Sequence, residues 1–387
     1  MNRTGKGRGP LTLGLRPPWD CMEQAVRLVS VFCVCPLFLG VSFLCGCSAG
    51  YLLHLGAGQA RIVLEKKPVA EVLEKGALPG ERREKLLLVL EAKEFGETEI
   101  GLARSRNYTF YYEVPGPAVA YNLTACPALS LDPHTWCFPI AGCLPYKGFF
   151  DRDRALAEAR KMAKAGYDTL LRPVAAYSTL GWFSDPVFST MLDYEEADLV
   201  ETILHEMVHR TVFLRHQGAF NEALATFVAE RGSLAFFTRR RPGAAPVAER
   251  LEAARLDRKR LHGILSTLAG QLRSVYAAPG EERDKIAEKE RLFAEGRKSL
   301  EDALPLFHDK RYGRLLAQTW NNAFLASYLT YHQNLDVFDA LLRALGGDLR
   351  ALVDCARALR SAEDPFEQVR GWVETGPDSD CCSADPD

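Results

Sequence analysis

A His-Glu-x-x-His motif near the middle of the chain carries side chains that bind metals and move protons. It consists of His205, Glu206 and His209. Because successive residues of an α-helix turn by about 100°, the two histidines project from one face and are able to share one ion. Glu206 lies one step round the helix, within reach of a water molecule bound to that ion. The spacing therefore predicts a zinc site with a proton-transferring carboxylate beside it.

The residues around this motif are apolar at helical spacing, which indicates a largely buried helix. They are Leu199, Ile203, Leu204, Met207 and Val208. Polar side chains on a buried helix are costly unless they are compensated, and a bound metal would compensate them. The alternative is that the three polar residues are ordinary members of an amphipathic helix.

A zinc ion that keeps one position for water needs a third protein ligand. Glu222 is the candidate, in the motif Asn-Glu-x-x-Ala-Thr. We expect the first helix to end near residues 216–218, where Gly218 takes the positive φ of a helix stop, and a second helix to run over residues 219–231. That helix would return antiparallel with Glu222 in its first turn. His216 is a rival ligand in the connection between the helices.

These assignments predict the hydrolysis of a peptide bond by metal-activated water. Glu206 would take a proton from the water and later give it to the leaving amine. Tyr331, on a predicted helix near the C-terminus, is the candidate donor to the oxyanion. Gly181 and Trp182 would bind an extended peptide substrate along an edge strand. The alternative for this segment is that Trp182 and Phe183 are core residues.

Several segments of the chain resemble a known family. They are WCFPIAGCLPYKGFFD, AYSTLGWFSDPVFSTML, HEMVHRTVF, FNEALATF, NNAFLASYLTYH and LRALGGDL. With them the chain resembles the predicted bacterial aminopeptidases, zinc metallopeptidases that are associated with membranes and related to the gluzincins. The resemblance covers nearly all of the chain after residue 46. It implies a zincin-like fold, His205, His209 and Glu222 as ligands of one Zn²⁺ ion, and Glu206 as the catalytic base.

One position departs from the pattern of better-known gluzincins. Those proteins often carry an acid four residues after the glutamate ligand, and this acid orients a ligating histidine. Here the residue is Thr226. The Thr226 hydroxyl, the carboxylate of Glu201 one turn before His205, and the side chain of Asn221 are the candidates for supporting the ligands.

An aminopeptidase also needs an anion for the α-ammonium group of its substrate. Glu195, Glu196, Asp198 and Glu230 are all available, and the sequence does not choose among them. Two other functions stay open, namely an endopeptidase of the cell envelope and a non-catalytic zinc-binding scaffold. The presence of Glu206 argues against the scaffold, because a structural zinc site needs no base.

The N-terminal residues predict export and a lipid anchor. Basic residues precede an apolar run over residues 28–44, which is typical of a secretory signal. LCGC, residues 44–47, resembles the lipobox of bacterial lipoproteins, so we expect a signal peptide over residues 1–46 and a lipid on Cys47. An uncleaved membrane anchor is the alternative. Ser48 suits the outer membrane of a Gram-negative bacterium, with the protein on the periplasmic side.

The balance of charged residues gives no indication of a nucleic-acid partner. Lys and Arg number 48 against 50 Asp and Glu, and no basic stripe with interleaved aromatics occurs, so nothing favours nucleic-acid binding. The expected partners are a peptide substrate and, through the lipid, a membrane; the oligomeric state stays open. In an oxidising compartment Cys137 and Cys143 are able to close a small disulfide, although the sequence does not establish this pairing.

The remaining segments predict an α+β fold that is mostly helical. We expect a small sheet beside the active-site helix, and a long helical hairpin over residues 248–304 that is interrupted at Pro279-Gly280. Further predicted elements are helices over 50–76, 81–101 and 152–168, short strands over 107–133, a loop over 136–151, a strand from 169, and two helices near the C-terminus. Residues 47–372 form one predicted domain, and residues 373–387 a disordered tail.

Overall fold

The computed structural model describes residues 46–76, 78–138, 142–177, 183–241, 243, 245–359 and 362–376. Two compact units divide the chain, residues 1–60 and residues 61–387. The described part of the first unit is helical. The strands given below and the predicted site belong to the second unit. Apart from Gly46, the predicted signal peptide lies outside the described residues, as does the side chain of Cys47.

The described chain consists of helices and short strands. The helices are α1 (Gly46–Glu65), α2 (Val69–Glu74), α3 (Gly80–Phe95), α4 (Arg152–Lys164), α5 (Glu196–Thr211), α6 (Gly218–Arg239), α7 (Ala245–Ala277), α8 (Glu282–Ala303), α9 (Asn322–His332), α10 (Leu335–Ala344), α11 (Leu349–Ala358) and α12 (Pro365–Thr375). The strands are β1 (Lys67–Pro68), β2 (Phe110–Tyr112), β3 (Ala120–Pro127), β4 (Trp136–Phe138), β5 (Gly142–Leu144), β6 (Lys147–Phe149), β7 (Tyr167–Val174) and β8 (Val187–Phe188). The prediction of a mostly helical α+β fold is confirmed, and the zincin-like arrangement stays a prediction.

In the part of the chain that the structure describes, three small sheets precede α5, where the sequence predicted one. Their strand orders are β1-β2-β8, β6-β3-β7 and β4-β5. The longest ladder is antiparallel and pairs β3 with β7, from Ala120 opposite Val174 to Pro127 opposite Tyr167. The prediction of a loop over residues 136–151 was wrong, because β4, β5 and β6 lie there. Cys137 and Cys143 are directly opposite across β4 and β5 and form a disulfide, which links strands too short to show alternation in sequence.

Two predicted helices are each broken in the structure. The segment over residues 50–76 is interrupted where Lys67 and Pro68 pair with β2. Near the C-terminus, Gly346 and Gly347 both have positive φ and separate α10 from α11, because glycine adopts this conformation without a steric penalty. A further helix, α12, continues to Thr375, past the predicted end of the domain at residue 372.

The predicted helical hairpin is present as α7 and α8. The two helices approach closely at Gly296, where a Cβ atom would lie 2.9 Å from Cδ2 of Leu268. Apolar side chains of α7, α8 and α9 form one hydrophobic core, and it includes Leu265, Phe293 and Leu325.

Most charged residues of the hairpin lie outside this core, but Asp257 and Lys289 are buried. The Lys289 ammonium contacts Asp168, and Asp257 accepts from the amides of His308 and Asp309.

A larger core surrounds α5 and α6, the helices that carry the predicted site. Leu199, Val200, Ile203 and Leu204 of α5 are fully buried in it. Gly232 of α6 permits the close approach of the two helices, since a Cβ atom there would lie 2.9 Å from Cδ1 of Leu204. The packing thus fixes α6 against the residue that directly precedes His205.

Within the described ranges, no helix is both long enough and apolar enough to cross a membrane.

Candidate metal centre

Helix α5 presents the His-Glu-x-x-His motif from a buried face and ends earlier than predicted. Its last residue is Thr211, whereas the sequence predicted an end near residue 216. The Thr211 hydroxyl donates to the Met207 carbonyl at 2.7 Å and accepts from the Ala103 amide at 2.9 Å. This side chain ties the end of the helix to a distant segment, a tertiary contact that no local sequence pattern indicates.

The connection after α5 is extended and partly buried. Val212 and Leu214 are buried, and His216 takes a positive φ of 63°. The prediction that Gly218 takes this conformation was wrong, because Gly218 begins α6. His216 is exposed and lies outside the group of potential metal ligands that the described residues form, so the geometry does not support it as the rival ligand.

Asn221 closes this connection with two hydrogen bonds to Leu214. Its Oδ1 accepts from the Leu214 amide at 2.9 Å, and its Nδ2 donates to the Leu214 carbonyl at 2.8 Å. Asn221 is buried, so these bonds are shielded from water. The side chain thus pairs both backbone polar groups of Leu214 and fixes the first turn of α6. Asn221 directly precedes Glu222.

Helix α6 returns from the connection and brings Glu222 to the two histidines. The Nε2 atoms of His205 and His209 are 3.1 Å apart. Oε2 of Glu222 lies 3.3 Å from Nε2 of His205 and 3.4 Å from Nε2 of His209. Three potential ligand atoms therefore form a nearly equilateral triangle. The helix itself runs to Arg239, eight residues beyond the predicted end at Arg231.

This triangle fits a tetrahedral zinc ion. With ligand bonds of about 2.0–2.1 Å, the ligand atoms of such an ion are separated by about 3.3–3.4 Å. The observed separations of 3.1–3.4 Å agree with this value. Two imidazoles and one carboxylate are also a ligand set that zinc prefers in catalytic sites, with the fourth position left to water.

The pKa values of Glu222 and His209 are shifted in opposite directions. Burial would raise the pKa of Glu222, but hydrogen bonds and charges from both histidines outweigh it and hold this pKa well below its usual range. Burial would lower the pKa of His209, but its hydrogen bond to Glu222 and the charges of Glu222 and Glu206 raise this pKa overall. Glu222 thus stays ionised, as a metal ligand must.

Glu206 lies beside this group in a different environment. Burial raises the pKa of its carboxyl; the charges of His205 and His209 oppose the rise, and those of Glu222 and Asp185 add to it. A carboxyl group whose pKa moves toward neutrality is better suited to take up and return a proton. The geometry therefore separates two roles, an ionised ligand and a proton-transferring group.

Asp185 and Tyr108 belong to the surroundings of Glu206, and the sequence reasoning missed both. Asp185 is buried, and its Oδ2 accepts from Nδ2 of Asn107 at 3.3 Å. Tyr108 is buried with a φ of 62°, and its amide donates to the Asp185 carbonyl at 2.7 Å. Burial raises the pKa of Tyr108, and the charges of Glu206 and Asp185 raise it further. The only signal in the sequence was the position of Asp185 within the segment singled out for substrate binding.

Tyr331 lies next to the histidines, as an oxyanion donor must. Its ring centroid is 6.3 Å from that of His205. Burial raises the pKa of this phenol, the charges of Glu222 and Glu206 raise it further, and the charge of Arg172 opposes them. The Arg172 guanidinium carbon lies 5.8 Å from the centroid of the Tyr331 ring. Arg172 is the third residue near the site that the sequence reasoning did not single out.

The candidates for supporting the ligands have different surroundings. Both oxygens of Glu201 accept from the guanidinium of Arg258 at 3.2 Å, rather than from a ligand histidine. The Thr226 hydroxyl makes no hydrogen bond to any residue in the described ranges. Nδ1 of His209 is buried and likewise has no partner there. Of the three candidates, only Asn221 has contacts that position a ligand, and it acts through the backbone.

The acids considered for the substrate's α-ammonium group are not at the ligand triangle. Nε of Arg258 lies 2.7 Å from Oε1 of Glu230 as an ion pair. Glu195, Glu196 and Asp198 are at the start of α5, and the rise of a helix places them roughly 10–15 Å from His205 along its axis. Asp185 is a further acid near Glu206, and its charge adds to the rise of the pKa of Glu206.

Gly181 and Trp182, the predicted substrate-binding residues, lie outside the described residues. Phe183, the next residue, is 45% exposed. The alternative that Phe183 belongs to the core was therefore wrong.

One comparison with known proteins gives a match. The family model described as "Putative aminopeptidase" matches residues 50–369. This range includes the whole ligand triangle, Glu206 and Tyr331. No curated protein matches the chain, and no solved structure does.

Proposed function

We propose that this chain, which belongs to the family described as "Putative aminopeptidase", is a zinc-dependent aminopeptidase. The observation that carries the proposal is the convergence of His205, His209 and Glu222 at 3.1–3.4 Å beside the partly buried Glu206. A zinc ion held by these three residues would supply Lewis-acid activation of water and of the substrate carbonyl.

Glu206 acts as the proton-transferring group. It takes the proton from the attacking water and delivers it to the nitrogen of the leaving amine, so that one residue serves as base and then as acid. The raised pKa of its carboxyl supports both halves of this role, because a weaker acid holds the transferred proton more readily. A purely structural metal site would gain nothing from a carboxyl group here, which argues against the scaffold alternative.

Tyr331 donates a hydrogen bond to the oxyanion of the tetrahedral intermediate. The raised pKa of its phenol keeps the proton in place, and a donor that is fixed by burial needs no reorganisation during the reaction. The ring separation of 6.3 Å from His205 supports this assignment.

Asp185 binds the α-ammonium group of the substrate. Its charge adds to the rise of the pKa of Glu206, which supports a position near the reacting groups. Asn107 contacts its backbone and its carboxylate, at 3.1 Å and 3.3 Å, and so fixes its orientation. This assignment favours an aminopeptidase over an endopeptidase.

The protein is held at the cell envelope by a lipid on Cys47, on the periplasmic side of the outer membrane of a Gram-negative bacterium. The proposal rests on the lipobox-like residues 44–47 alone. Replacement of Cys47 by Ala should release the protein from the membrane fraction after export. Continued membrane association of C47A would favour an uncleaved anchor instead.

A pair of peptides tests the enzymatic proposal. Zinc-loaded protein is given one set of peptides with free N-termini and the same set acetylated at the N-terminus. We expect hydrolysis of the free peptides from their N-terminal end, and loss of this hydrolysis in Glu206→Gln. Equal cleavage of acetylated peptides would establish the endopeptidase, and no cleavage of either set would favour the scaffold.

A further inference from the structure

Arg172 is an exposed cation beside the candidate active site. It lies on β7, opposite Asn122 of β3. Its guanidinium carbon is 5.8 Å from the centroid of the Tyr331 ring. Among the residues that the structure describes, Arg172 has no acidic partner, in contrast to Arg231 and Arg258, which form ion pairs with Asp339 and with Glu201 and Glu230. The positive charge of Arg172, beside the candidate active site, is therefore available to bind an anionic group of a ligand.

The distances limit which anion of a peptide would reach it. The separations of 5.8 Å and 6.3 Å, from Arg172 to Tyr331 and from Tyr331 to His205, place the guanidinium carbon at most about 12 Å from the His205 ring. One or two residues of extended chain span about 3–7 Å, and an arginine–carboxylate contact adds about 3 Å. A peptide cleaved at the metal centre therefore reaches Arg172 with its C-terminus when one or two residues follow the cleaved bond.

The strand on which Arg172 lies also suits a peptide ligand. In the described sheet β6-β3-β7, β7 is an edge strand. Extended peptides bind alongside such edges through backbone hydrogen bonds. Pro173 is the neighbour of Arg172, and proline is tolerated at the edge of a sheet.

We propose that Arg172 binds the C-terminal carboxylate of the substrate, so that the enzyme acts on dipeptides and tripeptides with a free C-terminus. This inference rests on the proposed aminopeptidase function. The planar guanidinium matches a carboxylate with two parallel hydrogen bonds, which a lysine ammonium does not reproduce. Long peptides would lack the charge at this distance and bind more weakly.

The first experiment measures binding without turnover. Zinc-loaded Glu206→Gln protein is titrated calorimetrically with alanyl-alanine and with alanyl-alanine amide. We expect the free acid to bind about 10- to 100-fold more tightly than the amide, the range of a hydrogen bond to a charged group. Adding Arg172→Ala should remove this difference, and Arg172→Lys should keep part of it. Equal affinities for the two peptides, or equal weakening of both by Arg172→Ala, would overturn the inference.

The second experiment measures hydrolysis by the otherwise unaltered enzyme. Arg172→Ala should raise KM for alanyl-alanine about 10- to 100-fold and leave KM for the amide unchanged. Arg160→Ala is the matched control, since Arg160 is an exposed arginine on α4, a helix that packs against β7; it should alter neither value. Hydrolysis of long peptides without preference for short ones would overturn the role of Arg172 while leaving the aminopeptidase. Absence of hydrolysis with every peptide would overturn the aminopeptidase and this inference with it.

Discussion

The side chain of Asn221, the residue before Glu222, forms hydrogen bonds with both the amide and the carbonyl of Leu214, at 2.9 Å and 2.8 Å. The connection between α5 and α6 therefore has a fixed length and exit direction. Because both of these hydrogen bonds go to Leu214 and neither to a histidine, we expect Asn221 to affect metal binding through the position of Glu222. It is a positioning residue.

Replacement of Asn221 by Ala should weaken both the fold and the metal site. Two buried hydrogen bonds are lost, which costs about 2–4 kcal/mol of unfolding free energy, and zinc affinity should fall about 10- to 100-fold. Chemical unfolding and zinc titration measure the two effects. Gln217→Ala, in the same connection, removes only an exposed bond to the Glu363 carbonyl and should change neither strongly. A folded N221A protein with unaltered zinc affinity would contradict the positioning role.

Replacement of Glu206 by Gln should separate catalysis from metal binding. We expect kcat to fall by about 10²- to 10⁴-fold, because proton transfer is lost, while the zinc stoichiometry stays that of the unaltered protein. Steady-state kinetics and elemental analysis provide the two measurements. Glu195→Gln, an exposed acid just before the same helix, is the control and should retain full activity. Full activity of E206Q would rule out the proposed role of this carboxyl group.

Replacement of Glu222 by Ala should abolish the stabilisation that zinc confers. A ligand that binds only the folded state at 100 times its Kd stabilises a protein by about 2.7 kcal/mol, so zinc should raise the Tm of the unaltered protein by a few degrees. E222A should show little of this rise in differential scanning calorimetry, and a chelator should remove it from the unaltered protein. If E222A responds to zinc like the unaltered protein, the third ligand lies elsewhere.

The Glu201–Arg258 pair predicts a pH dependence of stability. Burial raises the pKa of Glu201 to about 7; the charge and hydrogen bond of Arg258 oppose the rise, and the charges of Glu230 and Asp198 add to it. Between the ordinary pKa of a glutamate and pH 7, the folded chain holds a proton that the unfolded chain has released. The stabilisation from this group is therefore complete below pH 4 and is lost as the pH rises through about 7.

Replacement of Glu201 by Gln removes this titration. Relative to the unaltered protein, E201Q should gain unfolding free energy on the order of 1–3 kcal/mol between pH 5 and pH 8. Chemical unfolding in the presence of a chelator, at pH 5, 6.5 and 8, measures the difference without interference from zinc. Parallel stability curves for the two proteins would show that Glu201 does not titrate in this window.

The sequence by itself determined mainly features that depend on residues close to one another in the chain. The positions of His205 and His209 follow from the period of the helix, and the apolar residues between them identify the buried face. Glu222 followed from the need for a third ligand and from a short return, and the mostly helical fold followed from the spacing of apolar residues. The helical fold is confirmed, and the structure groups His205, His209 and Glu222 as the sequence predicted, while their role as ligands stays a prediction. Each of these inferences depends on residues within a few turns of one another.

The tertiary structure decided the rest. Helix α5 ends at Thr211, whose hydroxyl accepts a hydrogen bond from the Ala103 amide. The carboxylate of Glu201 binds the guanidinium of Arg258 on α7 rather than His205. Asp185, Tyr108 and Arg172 reach the site from segments that have no periodic relation to it. The period of a helix is a property of neighbouring residues, but the choice among several acids and cations depends on which ones the folded chain brings within a few ångströms.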